Sequence, residues 1–190
     1  MSEPRAEPEN RFQETFGAPL ARVRGKVRDH MHPWVQEFIG RAPFAVLATS
    51  DADGRCDASP RGGMPGFARV LDERRLLLPD VAGNRLFQSY ANADENPHVA
   101  LIFFIPGVGD MARVNGRATV VGPQELEARG LELSVYWRDD NAKQLQGLLI
   151  DVEEAYGHCP RAIAFSKLWD PEIVRANLAS RPVSKRPSGV

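Results

Sequence analysis

Cysteine is almost missing from this 190-residue chain, which has only Cys56 and Cys159. Two cysteines make no disulfide framework, so a reducing, cytoplasmic setting is the expectation, with both thiols read as small buried apolar side chains. An excess of charge of either sign is missing too. Lys plus Arg total 24 against 25 Asp plus Glu, a formal charge of −1. That balance offers no general attraction to nucleic acid or to an anionic membrane surface. Long hydrophobic runs are lacking as well. The longest, Val99–Pro106, falls far short of the roughly 20 residues a membrane-spanning helix needs. Met1–Arg11 is acidic, carries Pro4 and Pro8, and has no apolar stretch of the secretory kind.

Several motifs are also absent. No Gly-x-x-x-x-Gly-Lys-Ser/Thr loop and no Gly-x-Ser-x-Gly elbow occurs, which removes the commonest nucleotide and hydrolase signatures. Gly62-Gly63-Met64-Pro65-Gly66 approaches a dinucleotide fingerprint in composition but lies between two strand-like runs, with no helix for a pyrophosphate to cap. His30 and His32 stand two apart and His158 adjoins Cys159. Neither spacing aims two ligands at one ion, so no metal is expected.

Hydrophobic residues make up 43% of the chain and charged residues 26%, enough apolar material for one ample domain. The ends look uncommitted. Residues 1–18 read as a flexible N-terminal segment and residues 179–190, with Lys185 and Arg186, as a flexible basic tail; the domain occupies 19–178. Leu20, Val23, Val27, His30 and Met31, then Trp34, Val35, Phe38 and Ile39, recur at helical spacing and predict two short helices split by Pro33. Strand-like runs follow at Phe44–Thr49, Cys56–Arg61, Phe67–Leu71, Arg75–Leu78, Val99–Ile105, Met111–Val121 and Leu145–Tyr156, with helical spacing at Asn84–Ala93, Gln124–Leu133, His158–Leu168 and Pro171–Leu178. That cadence points to a mainly β (α+β) fold, an antiparallel barrel of six or so strands with flanking helices, and not to a doubly wound sheet. Leu101–Ile105 runs without alternation, so both faces of that strand need covering, by helices or by a second subunit.

Three clusters of basic and small polar residues stand at strand ends. Ser59-Pro60-Arg61-Gly62-Gly63 combines a hydroxyl, a guanidinium fork and open backbone N–H groups. Pro79-Asp80-Val81-Ala82-Gly83-Asn84-Arg85 leads from a strand into a helix, whose first turn favours an anion. Arg113, Asn115 and Arg117 share one face of a strand, opposite Val114. Each has a plainer reading. Arg61 can pair with Asp57 or Asp80, Asn84 can be a helix cap, and the Arg113/Arg117 face can be solvated. Their joint occurrence in a neutral chain favours an organised anion pocket. Asp80 and His158 are candidates for handling protons, although no acid or base has a convincing partner, and the catalytic residue stays unknown.

Read in order, Asp57-x-Ser59-Pro60-Arg61-Gly62, Pro65-Gly66-Phe67, Leu78-Pro79-Asp80, Gly83-Asn84, Asn96-Pro97, Arg113-Val114-Asn115-Gly116-Arg117-Ala118 and His158-Cys159 resemble the FMN-binding split-barrel proteins related to pyridoxamine 5'-phosphate oxidase, especially a bacterial branch with Ser-Pro-Arg-Gly and Arg-Val-Asn-Gly. The resemblance covers about Pro19 to Pro171. It implies a six-stranded split barrel forming a homodimer, with FMN sites at the subunit interface and a small-molecule substrate. It also implies cofactor contacts from Ser59, Arg61, Gly62, Asp80, Asn84, Arg85, Arg113 and Asn115, with Trp169 lining the flavin ring. Related sequences often carry Arg where Val81 stands and place a basic residue where Leu86 stands, which implies a shifted phosphate contact and weaker flavin binding. Residues that bind pyridoxal phosphate in the true oxidases are not recognisable. The expectation is an FMN-dependent oxidoreductase moving hydride or electrons between a reduced donor and a small organic molecule. The alternatives are a flavin-storage module without turnover and, with His98 and His158 as the only axial ligands in view, a haem-handling barrel.

Overall fold

A computed structural model describes residues 6–81, 85–131, 134–136 and 144–185 of the chain. Among these residues seven strands form: β1 Phe44–Ser50, β2 Cys56–Gly62, β3 Arg69–Asp72, β4 Arg75–Val81, β5 His98–Phe104, β6 Met111–Val121 and β7 Gln144–His158. All neighbours pair antiparallel, in the order β2-β1-β5-β6-β7-β4-β3. The expected six-stranded barrel is therefore corrected to a seven-stranded sheet that is not closed. The cause is the segment between β2 and β3. Gly63 and Gly66 donate their N–H groups to Pro43 and Ala42, anchoring the loop under the start of β1. From there the chain crosses to the far side of the sheet, and β2 and β3 end as opposite edges.

Strand alternation builds the core. Ala45, Leu47 and Thr49 of β1 and Val99, Leu101 and Phe103 of β5 are buried. Val46, Ala48, Ala100, Ile102 and Phe104 point the other way and stay partly exposed. β5 thus alternates in burial although it does not alternate in polarity, and its outer face is apolar and partly exposed. The inner face is covered by α3 (Pro33–Arg41), which starts with Pro33 in its first turn and buries Val35, Phe38 and Ile39. Each such side chain contributes about 1.5–3 kcal/mol of burial.

The remaining helices are α1 (Arg11–Phe16), α2 (Ala21–Arg24), α4 (Gln88–Glu95), α5 (Pro123–Ala128), α6 (Arg161–Ser166) and α7 (Pro171–Ala179). α1 lies inside the segment expected to be flexible, is capped by the Asn10 side chain and buries nothing. The helix expected over Leu20–Met31 shrinks to α2, because Arg28 exchanges backbone hydrogen bonds with Ala155 at the edge of β7. Both cysteines are exposed, against the expectation of burial. No helix among the described residues is long and apolar enough to cross a membrane.

Candidate functional site

β2 is an edge strand whose side chains alternate cleanly. Asp57, Ser59 and Arg61 face inward and are half-buried, while Cys56, Ala58 and Pro60 face out. Inward of them lie the end of β4 at Asp80-Val81 and the start of α4 at Gln88, and α4 is tied to β1 by Asn92 Nδ2 donating to Thr49 Oγ1 at 2.9 Å. β2, the end of β4 and the start of α4 enclose a cavity of about 390 Å³, lined among others by Asp57, Ser59, Arg61, Asp80, Arg85, Phe87, Ser89 and Tyr90.

The two carboxylates in this cavity are already engaged. Ser89 Oγ donates to Asp57 Oδ2 at 3.1 Å, and the Ser59 and Ser89 hydroxyls lie 3.0 Å apart. Asp80 Oδ1 accepts the Val81 N–H at 2.9 Å, and Oδ2 accepts the Tyr90 hydroxyl at 3.0 Å. The guanidinium of Arg61 is poorly served by comparison. Its Nη2 reaches Asp80 only at 4.0 Å, its Nη1 meets the Pro60 carbonyl at 3.4 Å, and its buried Nε has no partner. Leaving a buried charged donor unmet costs at least 1–3 kcal/mol, so Arg61 is held here at a cost in stability.

Burial, then the adjacent Asp80 carboxylate, push the Tyr90 phenol far above the usual tyrosine range. Tyr90 therefore serves as a neutral donor at all ordinary pH values. The rim is strained. Arg85 and Phe87 both take positive φ, 60° and 52°, a conformation that costs a non-glycine residue about 1–3 kcal/mol and recurs at ligand sites.

The structure brings together four of the residues singled out from sequence: Ser59, Arg61, Asp80 and Arg85. α4 begins at Gln88, so Arg85 precedes the helix instead of sitting in its first turn. Asn84 lies outside the described residues. Gly62 ends β2 next to Pro43, where a Cβ would approach the Pro43 carbonyl oxygen to 3.2 Å. Arg113 and Asn115 stand in register with Ile102 and Ala100 on the outer face of the sheet, away from this cavity. Trp169 donates its indole N–H to the Val108 carbonyl at 3.0 Å, clasping the α6–α7 corner to the β5–β6 loop. His158 also lies on the outer face. Ser89 and Tyr90 were not anticipated. The available signal was their position one turn before Ala93, on the face of α4 that turns inward.

Among the described residues, no group of three or more His, Cys, Asp and Glu could hold a metal ion. For FMN the fit is favourable. The cavity presents one unmet buried guanidinium, a second arginine at its rim and a hydroxyl pair, which suit a phosphate and a polyol.

The family description for pyridoxamine 5'-phosphate oxidase matches residues 31–159. None of the curated proteins compared matches the chain. Solved structures resemble it at low identity. An FMN-binding protein from Syntrophomonas wolfei is 12% identical with a TM-score of 0.49, over 65% of this chain and 86% of that one. HupZ from Group A Streptococcus is 16% identical with a TM-score of 0.47, over 67% and 93%. General Stress Protein 26 from Bacillus anthracis is 15% identical with a TM-score of 0.45, over 65% and 89%. With the family description spanning the sheet from the start of α3 to the end of β7, the chain belongs to the pyridoxamine 5'-phosphate oxidase family.

Proposed function

We propose that this protein is an FMN-dependent oxidoreductase acting on a small organic molecule, with the flavin phosphate and ribityl chain held in the cavity beneath β2. The observation that carries this reading is the buried Arg61 Nε, which lacks a partner while both neighbouring carboxylates have theirs. In this reading Arg61 and Arg85 hold the phosphate and Ser59 meets the ribityl hydroxyls. Asp80 is retained by Tyr90 and keeps Arg61 from swinging away. Leu86 and Phe87, exposed at the mouth, offer apolar surface to a flat ring. The bound flavin supplies hydride or electron transfer, and the chain positions it and shields it from water.

Assembly as a homodimer belongs to the same proposal. The outer face bearing Phe44, Val46, Ala48, Ala100, Ile102 and Phe104 is apolar and partly exposed, as an isologous interface requires. Ala58 and Pro60 also line the cavity while pointing to that face, so a second copy seated there would adjoin the flavin site.

Reduction of the loaded protein tests the reading. Bleaching of the flavin absorbance by NADH, NADPH or a reduced deazaflavin, with reoxidation by an added organic acceptor, is the expected result. A protein that binds FMN but resists every donor is a storage module, and the oxidoreductase proposal fails.

A further inference from the structure

We infer that Asp57 sets the ligand chemistry of the cavity beneath β2: acting through Ser89, it fixes Ser59 as a hydrogen-bond acceptor and so selects a phosphate ester whose chain carries free hydroxyls. This rests on the reading of that cavity as a site for a flavin's phosphate and ribityl chain, and adds what picks that chain out.

The side chains of Asp57, Ser89 and Ser59 stand in a row. Ser89, buried on α4, donates its hydroxyl to Asp57 Oδ2 at 3.1 Å, and its Oγ lies 3.0 Å from that of Ser59. A carboxylate has no proton to give, and a serine hydroxyl has one. The Ser89 proton is therefore committed to Asp57, and the proton between the two serines belongs to Ser59. Ser59 is left with lone pairs alone for anything that enters the cavity it lines.

Asp57 adds negative charge to the same stretch of wall. Arg61 turns its guanidinium to Asp80 at 4.0 Å, and among the described residues no cation pairs with Asp57. The inward face of β2 is thus divided, with acceptors at Asp57 and Ser59 and donors at Arg61. An anion at Ser59 meets lone pairs and a like charge nearby, so a phosphate is turned towards Arg61. Ser59 and Arg61 are two residues apart on one face, roughly 7 Å along the strand, which a five-carbon chain spans. With its phosphate on Arg61, a polyol phosphate lays its hydroxyls along Ser59 and supplies the donor that Ser59 lacks. An alkyl phosphate of equal length leaves that half-buried acceptor desolvated and unmet. The same row of bonds ties α4 to β2, a structural role that weighs on every ligand alike.

Ribitol 5-phosphate and n-pentyl phosphate are the probes. They share a phosphate and a five-carbon chain and differ in the hydroxyls, and each is titrated into the full chain by calorimetry alongside FMN. Ribitol 5-phosphate is expected to bind about tenfold more tightly, roughly 1.4 kcal/mol. Ser59→Ala should erase that margin by weakening ribitol 5-phosphate alone. In Asp57→Asn the carboxamide donates to Ser89, the protons run the other way, and Ser59 offers a donor. Pentyl phosphate should then bind about threefold more tightly than it does to the unsubstituted chain. Equal affinity of the two probes for the unsubstituted chain overturns the proposal, as does failure of ribitol 5-phosphate to bind. So do variants that change both probes by the same factor, the mark of a tie between α4 and β2 and nothing more. If the variants do not fold, the two probes on the unsubstituted chain decide alone. FMN that binds without a margin between the probes leaves the flavin reading standing and ends this one. A margin that follows Ser59 and Asp57 in a chain that does not bind FMN does the reverse.

Discussion

The Tyr90 hydroxyl donates to Asp80 Oδ2 at 3.0 Å, and that same oxygen stands 4.0 Å from Arg61 Nη2. At that distance the two charges attract by about 4 kcal/mol in surroundings of intermediate dielectric, before desolvation is counted. The phenol occupies part of the carboxylate's hydrogen-bonding capacity, and Arg61 stays at 4.0 Å, outside hydrogen-bond range. On the proposed function, that leaves Arg61 with donors to spare for the flavin phosphate. Removing the phenol should let the pair close. Tyr90→Phe is expected to lower FMN affinity by about three- to tenfold and stability by about 1–2 kcal/mol. FMN titration and urea unfolding read the two effects separately. An unchanged or tighter FMN affinity would show that Tyr90 does not set the position of Arg61.

The same phenol gives the fold a pH dependence. Burial and the Asp80 carboxylate raise the Tyr90 pKa in the folded state well above the value of about 10 that an exposed tyrosine has. The stabilising contribution is therefore complete below pH 10, where both folded and unfolded states keep the proton. Above it the unfolded chain releases the proton and the folded chain holds it. Stability then falls by about 1.4 kcal/mol per pH unit from this group. Urea unfolding at pH 9, 10 and 11 should show that slope in the unsubstituted protein, in excess of the slope in Tyr90→Phe. Parallel slopes would contradict the assignment.

Gly116 sits at the irregularity between β6 and β7, where Asn115 faces Glu154 but Gly116 already faces Val152, leaving Glu153 unopposed. A Cβ at Gly116 would collide with the Asp151 carbonyl oxygen, a backbone atom that cannot step aside. Gly116→Ala should cost about 2–4 kcal/mol, measured by thermal or urea unfolding. Gly54→Ala serves as comparison, since a Cβ there meets nothing within 4 Å, although its positive φ of 82° adds about 1 kcal/mol of strain.

The outer face gives a prediction about assembly. Ile102 projects there from the middle of β5, opposite Val46. Ile102→Glu should convert a dimer to monomers in sedimentation equilibrium at micromolar concentration, with the β-sheet circular dichroism retained. A dimer that survives the substitution would place the interface elsewhere.

Strands were legible because β-branched and aromatic runs were bounded by turn residues such as Asp51-Ala52-Asp53-Gly54. Each of the seven runs read from sequence corresponds to a strand. Closure was not legible. Whether two edges meet depends on where the loop from Gly63 to Ala68 carries the chain, and its anchoring to Ala42 and Pro43 is a tertiary contact. The early helix failed for a similar reason, since the backbone of Arg28 finds a partner in Ala155, and that outweighs the helical spacing of Leu20, Val23 and Val27. Within the candidate site, Asp57, Ser59 and Arg61 were accessible to strand periodicity. Ser89 and Tyr90 enter only because α4 packs across the end of β4. The separation of Arg113 and Asn115 from Arg61 is likewise a matter of which sheet face each strand presents.

FMN titration of three proteins, followed by quenching of the flavin fluorescence, tests the central claim most directly. The unsubstituted chain should bind saturably. Arg61→Ala should bind more weakly by about 1.5–3 kcal/mol, roughly ten- to 150-fold. Arg22→Ala, on the exposed α2 far along the chain from the cavity, should bind as the unsubstituted protein does. Absence of quenching in the unsubstituted chain, or equal affinity in all three, would contradict the account.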